Sequence, residues 1–88
     1  MNKGIRTACL QPATDWARPK GQEVAQAVRL AKLTAKQLAV YLGLGSQGGR
    51  TVRRWISEES KIPYASWALL CSFAGLGEIW KTNPNGFS

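Results

Sequence analysis

Apolar positions recur at helical spacing on both sides of a polar, glycine-rich interruption between residues 33 and 56. Before the interruption they are Leu38, Ala39 and Leu42; after it they are Val52, Trp55 and Ile56. Thr34 followed three residues later by Gln37 is a capping box, in which each side chain satisfies an N–H at the helix start. Leu33 and Leu38 have the spacing of a hydrophobic staple. Gly43 suits the left-handed residue that closes a helix. The pattern predicts a helix over about 35–42. In the segment Arg-Thr-Val-Arg-Arg-Trp-Ile, Val52, Trp55 and Ile56 face inward while Arg50, Arg53, Arg54 and Ser57 face out, predicting a second helix over about 50–58. Leu44 is the apolar plug of the turn, and Ser46 is a candidate cap for the helix that follows. Gly48 and Gly49 cost about 1 kcal/mol each in a helix interior, so the firm start is placed near Gly49 or Arg50. The alternative starts the helix at Gln47 and uses the glycines for close approach to a sugar-phosphate backbone. The sequence leaves both open.

Flanking segments complete the picture. Val24, Val28 and Ala31, helped by Ala27, predict a helix over 21–31, with Arg29 and Lys32 at its electrostatically favoured end. Ile62-Pro63 opens a further helix with an apolar stripe of Tyr64, Trp67, Ala68, Leu70, Cys71 and Ala74. Leu69, Phe73, Leu76, Ile79 and Trp80 add more apolar surface than a small core requires. Trp67, Leu70, Phe73, Leu76, Ile79 and Trp80 are therefore the candidate dimer interface, the alternative being that they complete the core. Residues 1–20 carry Gly4, Pro12 and Pro19 and predict an irregular arm, with Trp16 docked on the domain. Lys3, Arg6, Arg18 and Lys20 of this arm could touch phosphates; for the first ten residues, a solvated tail is the competing reading. Residues 21–80 form the domain, and 81–88 a tail. The expected fold is all-α: a small bundle of four to five helices containing a helix-turn-helix, a short capped helix and tight turn followed by an arginine-faced helix.

Charge turns this architecture toward a partner. The 88 residues carry 12 Lys and Arg against 5 Asp and Glu, a net charge of +7. Most of the excess lies between Arg18 and Lys61. That balance on a small domain points to nucleic acid. Histidine is absent, and the two cysteines, Cys9 and Cys71, stand far apart, which excludes the usual zinc spacings and any Cys–His or Ser–His pair. Asp15, Glu23, Glu58, Glu59 and Glu78 form no evident acid–base pair, and no cofactor motif occurs. No enzyme activity, metal or cofactor is expected. The first ten residues lack the apolar core of a signal peptide, and no run approaches membrane-spanning length, so a reducing, bacterial-type cytoplasm is expected.

An arginine on a helix in the major groove can donate two hydrogen bonds to O6 and N7 of guanine. Three arginines within one turn point in different directions and cannot all do so. Arg50 and Arg53 are assigned to bases, with Thr51 and Gln47 as second-rank contacts. Arg54 is assigned to phosphate or to a link with Glu58. Lys36, Ser46, Tyr41 and Lys32 are the further phosphate candidates. The competing reading is a solvated arginine face with i,i+4 pairs such as Arg54–Glu58.

The run LTAKQLAVYLGLG followed by RTVRRW resembles the helix-turn-helix of the phage repressor-like (Cro/cI, or XRE) transcriptional regulators, over residues 22–74. GGRTVRRWISEES followed by IPYASWALL resembles small regulators carried on plasmids, integrative elements and phages, including anti-CRISPR-associated regulators. The resemblance implies a homodimer that binds an inverted repeat in double-stranded DNA, represses its own operon on a mobile genetic element, and associates with the nucleoid when bound. The turn from Gly43 to Val52 is longer than the family pattern. Ala35 stands where many phage repressors have a phosphate-binding Gln, so that role is not carried over. Trp55 matches a large packing residue of the family. Two competing functions stay open: a protein-interaction module or inhibitor using the apolar C-terminal half, and a non-specific nucleic-acid binder.

Overall fold

The computed structural model describes residues 4–81, which contain four α-helices and no strand. The helices are α1 (Gly21–Ala31), α2 (Ala35–Leu42), α3 (Gly48–Ser57) and α4 (Tyr64–Phe73), with single 3₁₀ turns at Thr7–Cys9, Ala13–Asp15 and Ile79–Lys81. The small all-α bundle expected from the sequence is the one observed.

Local signals set the limits of α2. Thr34 Oγ1 accepts from Gln37 N at 3.0 Å, and Gln37 Oε1 accepts from Thr34 N at 2.9 Å, completing the capping box. Gly43, at φ +69°, ends the helix. There Leu44 N donates to Ala39 O at 3.0 Å and Gly43 N to Val40 O at 3.1 Å, the two bonds of a Schellman motif. Leu38 and Ala39 are buried.

Helix α3 begins earlier than the expected start at Gly49 or Arg50, and Gln47 rather than Ser46 is its N-cap residue, without a side-chain cap. The reason is packing. A β-carbon at Gly48 would stand 2.5 Å from Ala39 Cβ and 2.7 Å from Leu44 Cβ. The absent side chain lets the start of α3 press against α2, and this close approach outweighs the poor helix propensity of glycine. Gly48 thus serves helix–helix contact. At its other end, α3 stops at Ser57 and Glu58 takes the left-handed cap at φ +67°. The carboxylate of Glu58 accepts the Gly21 N–H at 2.7 Å, joining the end of α3 to the start of α1. Glu58 is therefore not paired with Arg54, whose nearest carboxylate contact is Glu59 at 4.0 Å. Any β-carbon at Gly21 would collide with the Ile56 carbonyl.

Between Gly4 and Lys20, the segment before α1 contributes Ile5 and Cys9 to the core, with Leu10 and Trp16 packed against it. Ile5 and Cys9 are buried, which overturns the solvated-tail reading. Trp67 Nε1 donates to Cys9 O at 2.7 Å, and Tyr64 Oη donates to Gln11 O at 2.9 Å, so α4 holds the segment by its backbone. Trp16 docks edge-on against Tyr64 with ring centroids 5.0 Å apart. Arg6 fixes the segment to α1: its Nε and Nη2 each reach a Glu23 carboxylate oxygen at 2.8 Å, and its backbone N–H donates at 3.0 Å. Lys20 N donates to the same carboxylate at 2.7 Å. Lys3 and residues 82–88 of the expected tail lie outside the described residues.

Core burial also revises the expected dimer surface. Trp67 and Leu70 are fully buried and Ile79 nearly so, because they belong to the core that α4 forms with α1 and the segment before it. Leu76 is partly buried against the core, while Phe73 and Trp80 stay exposed. Pro63 caps α4 instead of opening it. Cys9 and Cys71 are free, buried thiols, and burial pushes them up to about 11 and about 12, which keeps both protonated and unreactive at neutral pH.

Two predictions follow from this packing. Gly48→Ala should destabilise the chain by about 1–3 kcal/mol through overpacking at Ala39 and Leu44. Gly49→Ala, whose β-carbon would meet nothing closer than 3.6 Å, should be neutral or stabilising, as read by urea unfolding. The second prediction concerns Glu23. Burial pushes its carboxyl up, but the Arg6 side chain and the backbone N–H groups of Arg6 and Lys20 outweigh that and hold it at about 2, against an ordinary 4.5. The folded chain therefore binds this proton more weakly than the unfolded chain. The stabilisation is complete above about pH 4.5 and disappears as pH falls toward 2. Glu23→Gln should cost about 3 kcal/mol at pH 7 and flatten the loss of stability between about pH 5 and pH 2.

Candidate nucleic-acid interface

Helix α3 divides cleanly into two faces. Gly48, Val52 and Trp55, spaced i, i+4 and i+7, are buried. Arg50, Arg53, Arg54 and Ser57, spaced i, i+3, i+4 and i+7, are exposed and, with Glu59, line one shallow trough. The buried face is locked by the Gly48–Ala39 contact at one end and the Glu58–Gly21 hydrogen bond at the other. The arginines therefore project from a helix held at both ends.

Among the described residues, neither Arg50 nor Arg53 has an ion-pair partner. Arg54 approaches Glu59 only at 4.0 Å, with both side chains half or more exposed, a contact worth little in water. The expected arginine face is present, and the alternative of an Arg54–Glu58 pair on it is not observed.

The other predicted contacts fall at varied distances from this stripe. A β-carbon at Gly49 would lie 3.6 Å from both Arg53 Nη1 and Lys36 Cα, so the start of α2 and the first turn of α3 meet beside Arg53. Lys36 is exposed at that junction. Gln47 and Ser46 are exposed in the turn that leads into α3. Thr51 is half-buried, with its hydroxyl 3.5 Å from Gln47 O, turned along its own helix. Lys32 is exposed as the left-handed cap of α1, at φ 60°. Tyr41 is exposed, but its ring leans on Phe73 of α4 with centroids 5.5 Å apart.

Two features escape the sequence reading. Val40 is 72% exposed and, with Tyr41, extends an apolar surface from α2 toward Phe73 on α4. Helical spacing sets Val40 away from the face of Leu38, Ala39 and Leu42, but nothing in the sequence joins it to Phe73. Lys61 joins Arg18 and Lys20 around the far end of α3. No local pattern links residues so far apart in sequence.

Over 77 residues the chain is 58% identical to a transcriptional repressor protein KorC of Escherichia coli, the match spanning 88% of this chain and 91% of that protein. A second Escherichia coli transcriptional repressor protein KorC is 56% identical over 77 residues, with the same shares of each chain covered. No protein-family model and no solved structure matches the chain.

Proposed function

The chain belongs to the KorC family of transcriptional repressors, and from that premise we propose that it binds double-stranded DNA sequence-specifically with α3 in the major groove. The observation that carries this reading is the stripe of Arg50, Arg53 and Arg54 on the exposed face of a helix whose other face is built into the core. Arg50 and Arg53, without acidic partners, read guanine edges; Gln47 and Thr51 make secondary base contacts. Arg54, Lys36, Ser46, Tyr41 and Lys32 hold phosphates, and Lys36 is best placed because it adjoins the first turn of α3. The α2–turn–α3 unit acts as a helix-turn-helix of the Cro/cI kind. Two copies on an inverted repeat fit the resemblance noted above, with Phe73, Leu76 and Trp80 as the part of the expected dimer surface that the core leaves available. The biological role is repression of the chain's own operon on a mobile element, in a bacterial cytoplasm.

The second reading is a protein-interaction module. The exposed apolar side chains of Val40, Tyr41, Leu69, Phe73 and Trp80 favour it. It leaves the exposed arginine stripe without a use, and for that reason it ranks second.

Binding to the DNA upstream of the gene, measured against scrambled duplex at about 150 mM salt, decides among the classes. A repressor should show a gap of roughly 1,000-fold or more. Equal affinities with steep salt slopes indicate a non-specific binder, and negligible binding to either duplex indicates an interaction module. Arg53→Ala should cost about 1–3 kcal/mol and relax sequence preference, whereas Lys36→Ala should weaken all sequences and lower the salt slope by about one unit. Unchanged operator affinity in an Arg50→Ala, Arg53→Ala double variant would overturn the base-contact assignment.

A further inference from the structure

A second basic cluster surrounds the opposite end of α3 from Lys36. Arg18, Lys20 and Lys61 line a cavity of about 250 Å³, walled on its apolar side by Trp55, Pro19 and Ile62. Arg18 is fixed at the rim: its Nε donates to Ile62 O at 3.3 Å and its guanidinium stands 5.2 Å over the Trp16 ring. The one carboxylate lining the cavity, Glu58, is engaged by the Gly21 N–H at 2.7 Å. Among the described residues, no ion pair occupies the ammonium groups of Lys20 or Lys61. The cavity thus carries three cations against one carboxylate that already has a partner.

We propose that this cavity binds a phosphate group. Its charge suits a tetrahedral dianion or a phosphodiester, because Arg supplies a directional fork and the two lysines supply point charges. Its volume is below the usual 300–1,000 Å³ of small-molecule sites, which suits a single phosphate with a few waters better than a whole nucleotide. The phosphate comes either from a DNA backbone passing the end of α3 or from a small phosphorylated ligand. In either case it bridges Arg18 and Lys20, before α1, to Lys61, after α3. The DNA source rests on the repressor reading above; the small-ligand source does not.

The test uses the full chain and a Lys20→Gln, Lys61→Gln variant, with Lys61→Gln alone as a second variant in case the α1 start loosens. In the first arm, inorganic phosphate is titrated at constant ionic strength while NMR follows the Trp55 indole N–H and the Gly21 and Glu58 amides. In the second arm, the salt dependence of binding to upstream DNA is compared between wild type and variants. A saturable wild-type shift, weakened about tenfold in the double variant, supports the site, and with an unchanged DNA salt slope it assigns a small phosphorylated ligand. A salt slope lower by about one unit in the variants, with sequence preference kept, also supports it and assigns the DNA backbone. No saturable shift together with an unchanged slope overturns the proposal. A wild type that binds no DNA defeats the repressor reading separately and leaves the phosphate titration to decide.

Discussion

The approach of α3 to α2 at Gly48 and Ala39 is the contact on which the rest depends. It is a steric constraint more than an attraction: the two helices meet where Gly48 has no room for a β-carbon. Once they meet there, Val52 and Trp55 are committed to the core, and the helical repeat leaves Arg50, Arg53 and Arg54 on the outside. The direction of the arginine stripe is thus a consequence of how closely two backbones pack. A glycine that weakens a helix in isolation fixes its position in the folded chain.

The N-terminal segment and α4 close the opposite side of this unit. A domain of this size buries a modest core, and each anchored segment adds to it. Glu23 gathers the side chain and backbone of Arg6 with the backbone of Lys20, so one buried carboxylate ties the Arg6 turn to the start of α1. The Trp67 and Tyr64 hydrogen bonds to the backbone of Cys9 and Gln11 do the same from α4. These contacts are far from the arginine stripe. The Glu58–Gly21 hydrogen bond links the end of α3 to the start of α1, beside the direct packing of α1 on α3.

Much of this was legible from local chemistry. The limits of α2 follow from Thr34, Gln37 and Gly43, because caps act over a few residues and leave their mark in the sequence. The inward and outward faces of α3 follow from its 3.6-residue repeat. What could not be read depends on which distant residues meet. Gly48 looks like a helix breaker until Ala39 and Leu44 are seen against it. Trp67, Leu70 and Ile79 suit a dimer interface until Ile5 and Cys9 are found packed in the same core. Glu58 suits an i,i+4 partner for Arg54, yet it turns to a backbone N–H at residue 21. In each case a contact across the chain overrides a local pattern that was sound in itself.

The proposed function rests on arginines of α3 meeting guanine edges in a major groove. Methylation interference on the DNA upstream of the gene tests this most directly, since a methyl group on guanine N7 blocks the acceptor that a bidentate arginine requires. Strong interference is expected at guanines in each half of an inverted repeat, lost in part when Arg50 or Arg53 is replaced. Interference confined to the minor-groove N3 of adenines, or full binding to guanine-methylated DNA, would contradict it.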